Sequence, residues 1–87
     1  MEYEYIKLVG SEIKNREDLY EAIGRQTELP AFFGKNLDAL HDVITDMNVL
    51  VEVTETDLLR DNLGRYADAL LRMLGNSRSD RVKVIIE

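Results

Sequence analysis

The sequence predicts an α/β fold in which a three-stranded parallel sheet packs with about four helices. Three short runs are rich in branched and aromatic residues, which is the composition of strands. The two stretches between these runs carry apolar residues at helical spacing, and each is long enough for the crossover that parallel strands require. A length of 87 residues suits one domain, so we predict a single domain over residues 1–87.

The first strand and the first helix have clear local signals. The run Tyr3–Val9 is typical of a strand. Asn15 is a plausible N-cap for a helix that places Leu19 and Ile23 on one face. Pro30 bars the continuation of this helix, because proline cannot donate a backbone hydrogen bond.

The connection Leu29–Gly34 contains two adjacent aromatic residues. We expect at least one of Phe32 and Phe33 to be buried. Because adjacent side chains do not easily point the same way, the other is expected to stand beside the next helix as an exposed apolar group, a common form of interface anchor. Gly34 can supply a positive φ, and Asn36 offers the next N-cap.

The second helix is predicted to be amphipathic. Its apolar residues recur at helical spacing: Leu37, Leu40, Val43 or Ile44, and Met47. This spacing leaves an acidic face on a different side. The residues on that side are Asp38, His41 and Asp42, and Asp46 continues the acidic row.

The aspartates at positions 38, 42 and 46 follow one another at four-residue steps and occupy roughly one stripe. Asp38 lies in the first turn, where the helix dipole favours an anion, so its position has a structural explanation. Asp42 lies further in, and like charges at this spacing repel by about 0.2–0.5 kcal/mol on an isolated helix. Two interpretations remain open: a solvated helix face, or a binding site for arginine and lysine.

The second half of the chain begins with a short apolar run. Asn48–Thr54 is predicted to be a strand covered on both faces of the sheet. Thr56 and Asp57 are candidates to cap a short helix that runs through Arg60, and Asn62 is a further capping candidate.

The clearest helix follows, because its apolar residues lie at offsets typical of one helix face. These residues are Leu63, Ala67, Leu70, Leu71 and Leu74. Gly75 is placed for the C-terminus of this helix. Arg81–Ile86 is predicted to be the last strand.

The charge of the chain is concentrated in its middle. The 11 basic and 17 acidic residues give a net charge of −6, and residues 36–62 contain seven acidic residues and one basic residue. A negative surface argues against nucleic acid as a direct ligand, because phosphates demand a basic surface. A basic protein is the expected partner.

Several other classes of protein are disfavoured by composition. The chain has no cysteine, which excludes disulfides and thiolate metal sites. It shows no signal peptide and no apolar run long enough to span a membrane, so we expect a cytoplasmic protein. The glycines form no phosphate-binding motif, and an enzymatic role would have to depend on His41, the one histidine. We therefore expect no cofactor, no metal and no catalysis.

The segment from Leu29 to Asp42, LPAFFGKNLDALHD, resembles the signature of the barstar family of ribonuclease inhibitors. That signature contains Leu-Pro, two aromatic residues and Gly, followed by Asn-Leu-Asp-Ala-Leu, any residue, and Asp. The predicted order of strands and helices also matches that of the family, so the resemblance covers the whole chain.

Barstar-like proteins are intracellular inhibitors that plug the active site of a basic secreted ribonuclease with an acidic helix and its preceding loop. The resemblance implies that Asp42 occupies the phosphate site of the nuclease and that Asp38 makes a second charged contact. It also implies that Phe32 meets a catalytic histidine of the enzyme. Asn36 and Leu37 are implied to lie at the edge of the contact.

The sequence departs from barstar itself at several of these positions. His41 and Met47 stand where barstar has tryptophans, Phe32 and Phe33 replace two tyrosines, and Asn76 replaces an acidic residue. The predicted partner-binding residues are Phe32, Asn36, Leu37, Asp38, His41, Asp42, Asp46, Met47 and Asn76. The leading interpretation is a barstar-like inhibitor of a basic ribonuclease. The alternative is an acidic protein-interaction module of the same fold with a non-nuclease partner.

Overall fold

The computed structural model describes residues 3–87, so residues 1 and 2 of the predicted 1–87 domain lie outside the described residues. In chain order the strands and helices are β1 (Glu4–Val9), α1 (Arg16–Gln26), α2 (Leu37–Thr45), β2 (Val49–Thr54), α3 (Thr56–Leu63), α4 (Arg65–Asn76) and β3 (Val82–Ile86). One turn of 3-10 helix, Gly10–Glu12, follows β1. Every helix within residues 3–87 is too short or too polar to cross a membrane.

The strands form one parallel sheet in the order β1-β2-β3. In the middle of the sheet Ile6 pairs with Val51, and Val51 pairs with Val84. Helices α1 and α2 connect the first two strands, and α3 and α4 connect the last two. The predicted α/β fold, a three-stranded parallel sheet with four helices, is confirmed.

The sheet is covered on one face. Alternate residues of β2 belong to the hydrophobic core and are buried: Val49, Val51 and Val53. On the other face Tyr5 is exposed, and its hydroxyl donates to the carboxylate of Glu52, which raises the pKa of Tyr5. The prediction that Asn48–Thr54 is covered on both faces is therefore wrong. Glu52 and Thr54 interrupt the apolar run on the open side.

Within residues 3–87, no strand lies beside the outer edge of β1. The side chain of Gln26, the last residue of α1, occupies part of this edge. Its Oε1 accepts from the backbone N–H of Lys7 at 2.7 Å, and its Nε2 donates to the Lys7 carbonyl at 2.8 Å. The next residue, Thr27, is buried and donates to the carboxylate of Glu4 at 2.7 Å. The end of α1 is thus tied to β1 by side chains.

The two asparagine caps predicted for α1 and α2 are confirmed. Asn15 Oδ1 accepts from the backbone N–H of Asp18 at 2.8 Å. Asn36 Oδ1 accepts from the backbone N–H of Ala39, also at 2.8 Å. Each bond satisfies one of the free N–H groups in the first turn of its helix.

Helix α3 differs from the prediction at both ends. The predicted cap at residues 56–57 is wrong, because Glu55 precedes the helix in a left-handed conformation with φ of 55°. The Glu55 carboxylate accepts from the backbone N–H of Ser11 at 3.0 Å, and hydrogen bonding to Ser11 lowers the pKa of Glu55. The helix also continues past Arg60 to Leu63.

Asn62 was predicted to cap a helix. It lies inside α3 instead. Its side-chain amide donates to the carbonyls of Gly10 and Ile13, at 3.2 Å and 3.0 Å. The break between α3 and α4 is made instead by Gly64, which has a φ of 59°. The last long helix therefore starts two residues later than the predicted Leu63.

Gly75 lies in the last turn of α4, close to its predicted place at the C-terminus of the helix, whereas Gly34 differs from its prediction. Gly75 lies inside α4, which ends one residue further on. The hydroxyl of Ser77 donates to the Met73 carbonyl at 2.7 Å, so a left-handed glycine is not needed to satisfy that carbonyl. Gly34 does not have the positive φ that was predicted for it. Within residues 3–87, Gly64 is the one glycine with a positive φ.

Gly10 packs too closely against α3 for any side chain. A Cβ atom at this position would lie 2.0 Å from the Glu55 carbonyl oxygen and 2.9 Å from the Leu59 backbone nitrogen. These are backbone atoms, which cannot move aside as the end of a flexible side chain can. The contact between the end of β1 and the start of α3 therefore depends on glycine.

We expect Gly10→Ala to lower the free energy of unfolding by about 3 kcal/mol or more, because the added methyl group overlaps backbone. Gly75→Ala is the matched control. A Cβ there meets nothing within 4 Å, and alanine in a helix is favoured over glycine by about 0.5–1 kcal/mol. Chemical denaturation of the three proteins measures both effects. A Gly10→Ala protein as stable as the wild type would contradict this packing.

Candidate protein-interaction site

The segment between α1 and α2 turns one aromatic ring inward and presents the other to solvent. Phe33 is partly buried, and its ring centroid lies 5.9 Å from that of Tyr20 at an interplanar angle of 58°. The Phe33 backbone N–H donates to the Pro30 carbonyl at 3.0 Å, which closes a turn. Phe32 is 99% exposed. One ring thus packs inward while its neighbour stays exposed, as expected, although Phe33 is only partly buried.

Tyr20 anchors this segment to the helices beneath it. It is buried, and its hydroxyl shares a hydrogen bond with the hydroxyl of Tyr66 at 2.5 Å. Burial, followed by this bond, raises the pKa of Tyr20, so the phenol stays neutral. The Arg16 guanidinium lies 4.1 Å from the centre of the Tyr66 ring, a cation–π distance. Phe33 therefore packs on a cluster that joins α1 to α4.

Helix α2 turns its apolar face to the core. Leu40 and Ile44 are buried, and Leu37 packs against the core from a half-buried position. The outward residues are Asp38, His41 and Asp42. Asn36 and Leu37 thus have structural roles, one as the cap of the helix and the other in core packing.

The Asp42 carboxylate projects into solvent and has no lysine or arginine partner among residues 3–87. Its side chain is 85% exposed, and the nearest basic group is Nδ1 of His41 at 3.8 Å. Within residues 3–87 the lysine and arginine ion pairs involve Arg60 alone, which contacts Asp57 and Asp68. The acidic side chains of α2 are therefore available to cations from outside the molecule.

The site lacks the geometry of an acid–base pair. The separation of 3.8 Å between His41 and Asp42 is too long for a hydrogen bond, so the carboxylate does not orient the imidazole. Among residues 3–87 no group of three or more potential ligands is arranged to hold a metal. Exposed carboxylates beside apolar surface suit the binding of basic side chains.

A concave surface, here named the loop groove, lies between residues 28–31 and the C-terminal half of α2. Apolar side chains form much of its lining: Leu29, Pro30, Ala31, Val43 and Met47. Carboxylates complete the lining: Glu4, Glu28, Asp42 and Asp46. Three of the predicted partner-binding residues thus meet in one groove, namely Asp42, Asp46 and Met47.

A second concave surface, the helix groove, lies between α2 and α4. Its lining residues are Asp38, His41, Ala69, Arg72, Met73 and Asn76. The predicted acidic stripe is therefore divided between two grooves, with Asp38 on one side of α2 and Asp46 on the other. A four-residue step advances an α-helix by one turn and about 40°, so the two ends of the row diverge.

Several residues of this site were not predicted from the sequence. Glu4 and Glu28 reach the loop groove from β1 and from the start of the α1–α2 connection. Arg72 brings a cation into the helix groove. Tyr20 belongs to the buried side of α1, and its contact with Phe33 had no local signal. Phe32, in contrast, was predicted, although it lines neither groove.

Comparison with known proteins agrees with this geometry. A family model described as "Barstar (barnase inhibitor)" matches residues 3–85. A protein of Bacillus subtilis (strain 168) named "Putative ribonuclease inhibitor YrdF" is 30% identical over 84 residues, covering 90% of this chain and 92% of the relative. The family match includes the loop, α2 and α4, and therefore both grooves.

We expect Asp42→Ala to leave the free protein unchanged or to stabilise it by about 0–1 kcal/mol. The substitution removes a like charge at i, i+4 from Asp38 and introduces a better helix former. Asn36→Ala is the control, because loss of the cap should cost about 1 kcal/mol. Denaturant midpoints measure both changes. A clear loss of stability in Asp42→Ala would show that this residue has a structural role.

Proposed function

The chain belongs to the barstar family, and from this premise we propose that it inhibits a basic ribonuclease by covering the active site with α2 and the preceding loop. The observation that carries the proposal is the exposure of the Asp42 carboxylate. Its carboxylate is exposed and has no lysine or arginine partner within residues 3–87, on a helix whose other face is held in the core. This arrangement suits a carboxylate that takes the place of an RNA phosphate.

Inhibition would then combine occlusion with phosphate mimicry. A ribonuclease that binds RNA presents arginine, lysine and histidine to the phosphate. Asp42 and Asp38 offer negative charge to those groups, while Phe32 supplies an exposed apolar ring beside the charged helix. The inhibitor itself performs no catalysis. We propose that it acts in the cytoplasm as an immunity protein, as a single domain over residues 1–87.

Arg72 favours a second candidate function. It lies in the helix groove with Asp38 and His41, so one side of the acidic helix carries a cation that weakens attraction to a basic partner. A partner of mixed charge would tolerate this arrangement better than a strongly basic enzyme. The second candidate is accordingly an acidic interaction module that binds a protein other than a nuclease.

A ribonuclease inhibition assay distinguishes the two candidates. The purified protein is titrated into barnase and into a panel of other basic bacterial ribonucleases, with cleavage of a fluorogenic RNA as the readout. Inhibition that saturates at one inhibitor per enzyme supports the proposal. A folded protein that inhibits no ribonuclease of the panel would favour the interaction module.

We expect Asp42→Ala to weaken binding to the inhibited ribonuclease by about 2–5 kcal/mol or more. Measurements on barstar complexes are among those that define this range. Truncation leaves the buried cations of the enzyme without a counter-charge. Asp46→Ala is expected to cost less, below about 1 kcal/mol, because Asp46 lies at the end of α2 rather than at its centre. Dissociation constants measure both. Equal affinity of Asp42→Ala and wild type would contradict phosphate mimicry.

We expect the association rate to depend strongly on salt. The concentration of negative charge in residues 36–62 steers a basic partner at low ionic strength, and screening shortens the Debye length from about 30 Å at 0.01 M to about 3 Å at 1 M. Stopped-flow mixing should show a fall of at least about tenfold over this range, with a smaller change in dissociation. A flat association rate would indicate that the acidic face does not meet the partner.

A further inference from the structure

The loop groove has an apolar lining that the proposed phosphate mimicry does not use. Leu29, Val43 and Met47 are partly buried, whereas Pro30 and Ala31 are exposed. Together they line an open concavity of about 640 Å³. Apolar surface of this kind can hold the aliphatic stem of a long side chain, provided that the charged end of that side chain finds a partner at the rim.

The rim of the loop groove supplies that partner. Glu28 and Asp46 are exposed and line the groove together with Asp42 and Glu4, and no lysine or arginine belongs to the lining. The Glu4 carboxylate is held in place by the buried hydroxyl of Thr27 at 2.7 Å. The helix groove differs, because Arg72 supplies a cation there. Charge complementarity therefore favours a cationic occupant in the loop groove.

We propose that the loop groove receives one arginine side chain of the partner, with its methylene stem over Val43 and Met47 and its guanidinium between Glu28 and Asp46. The inference rests on the proposed function, because it takes the partner to be a ribonuclease, and it adds a specificity contact separate from Asp42. Arginine fits better than lysine. Its planar guanidinium presents five N–H donors to carboxylates on several sides, whereas the lysine ammonium is a compact and more strongly hydrated charge.

The test uses the free protein and a small probe. Methyl and amide NMR spectra are recorded during titration with N-acetyl-arginine amide, and with the lysine and citrulline analogues as controls. We expect saturable shifts at Leu29, Val43 and Met47 with the arginine probe, weaker shifts with lysine, and none with the uncharged citrulline. Equal shifts with citrulline, equal shifts with lysine, or no saturable shifts with arginine would each overturn the inference.

Paired substitutions locate the probe. Glu28→Gln combined with Asp46→Asn should weaken binding of the arginine probe by about tenfold, because two charge-assisted contacts are lost. The matched control combines Glu12→Gln with Asp61→Asn, which removes the same charge from exposed positions outside the groove. Thermal melts confirm that both variants fold. If the two double variants bind the probe equally, the cationic end does not lie between Glu28 and Asp46.

The ribonuclease assay separates this inference from the proposed function. If the arginine probe binds in the loop groove but no ribonuclease is inhibited, the groove chemistry stands and the nuclease as partner is wrong. If a ribonuclease is inhibited equally by the wild type and by the Glu28→Gln, Asp46→Asn variant, the proposed function stands and the arginine contact is wrong. Inhibition weakened in that variant and retained in the control supports both.

Discussion

A single hydrophobic layer on one face of the sheet determines how the rest of the molecule is arranged. Alternate strand residues and the apolar faces of the helices form one cluster of buried side chains. Since this chain covers its sheet on one side, each helix has one face in that layer and one face free. Helix α2 uses its free face for charge, because nothing in the core requires those positions. The thin core therefore leaves these helix positions free to carry charge.

The exposed features of the site depend on buried ones. Phe32 lies in the chain next to Phe33, which packs on Tyr20, and Tyr20 in turn bonds to Tyr66. The direction of α2 is set by the Asn36 cap and by Leu40 and Ile44 in the core. The backbone that carries the exposed side chains is thus attached to the core on both sides of the site.

Local sequence signals predicted the structural features that depend on interactions within a few residues, such as helix caps. Asn15 and Asn36 were identified as caps, because a cap needs only its own side chain and an N–H three residues later. Asn62 has the same local chemistry, but its amide is taken by carbonyls about fifty residues earlier in the chain. Glu55 precedes its helix in a left-handed conformation that no propensity suggests, and its backbone lies against Gly10, which comes from a distant part of the chain.

The residues of the site also divide into those that local sequence patterns predict and those that tertiary packing brings together. Residues of α2 could be predicted from helical spacing and from the family signature, because both are written along one segment. The separation of Asp38 from Asp46 depends on where neighbouring elements lie against the helix. Glu4, Glu28 and Arg72 enter the two grooves only through tertiary packing, so no pattern within α2 could have indicated them.

The Gln26 side chain covers part of the free edge of β1. A parallel sheet with free outer strands offers backbone donors and acceptors to any other extended chain, including another copy of itself. By pairing with both backbone groups of Lys7, the amide of Gln26 behaves as a one-residue strand and terminates the ladder. At that edge, therefore, another copy of the chain finds neither the backbone donor nor the backbone acceptor of Lys7 free.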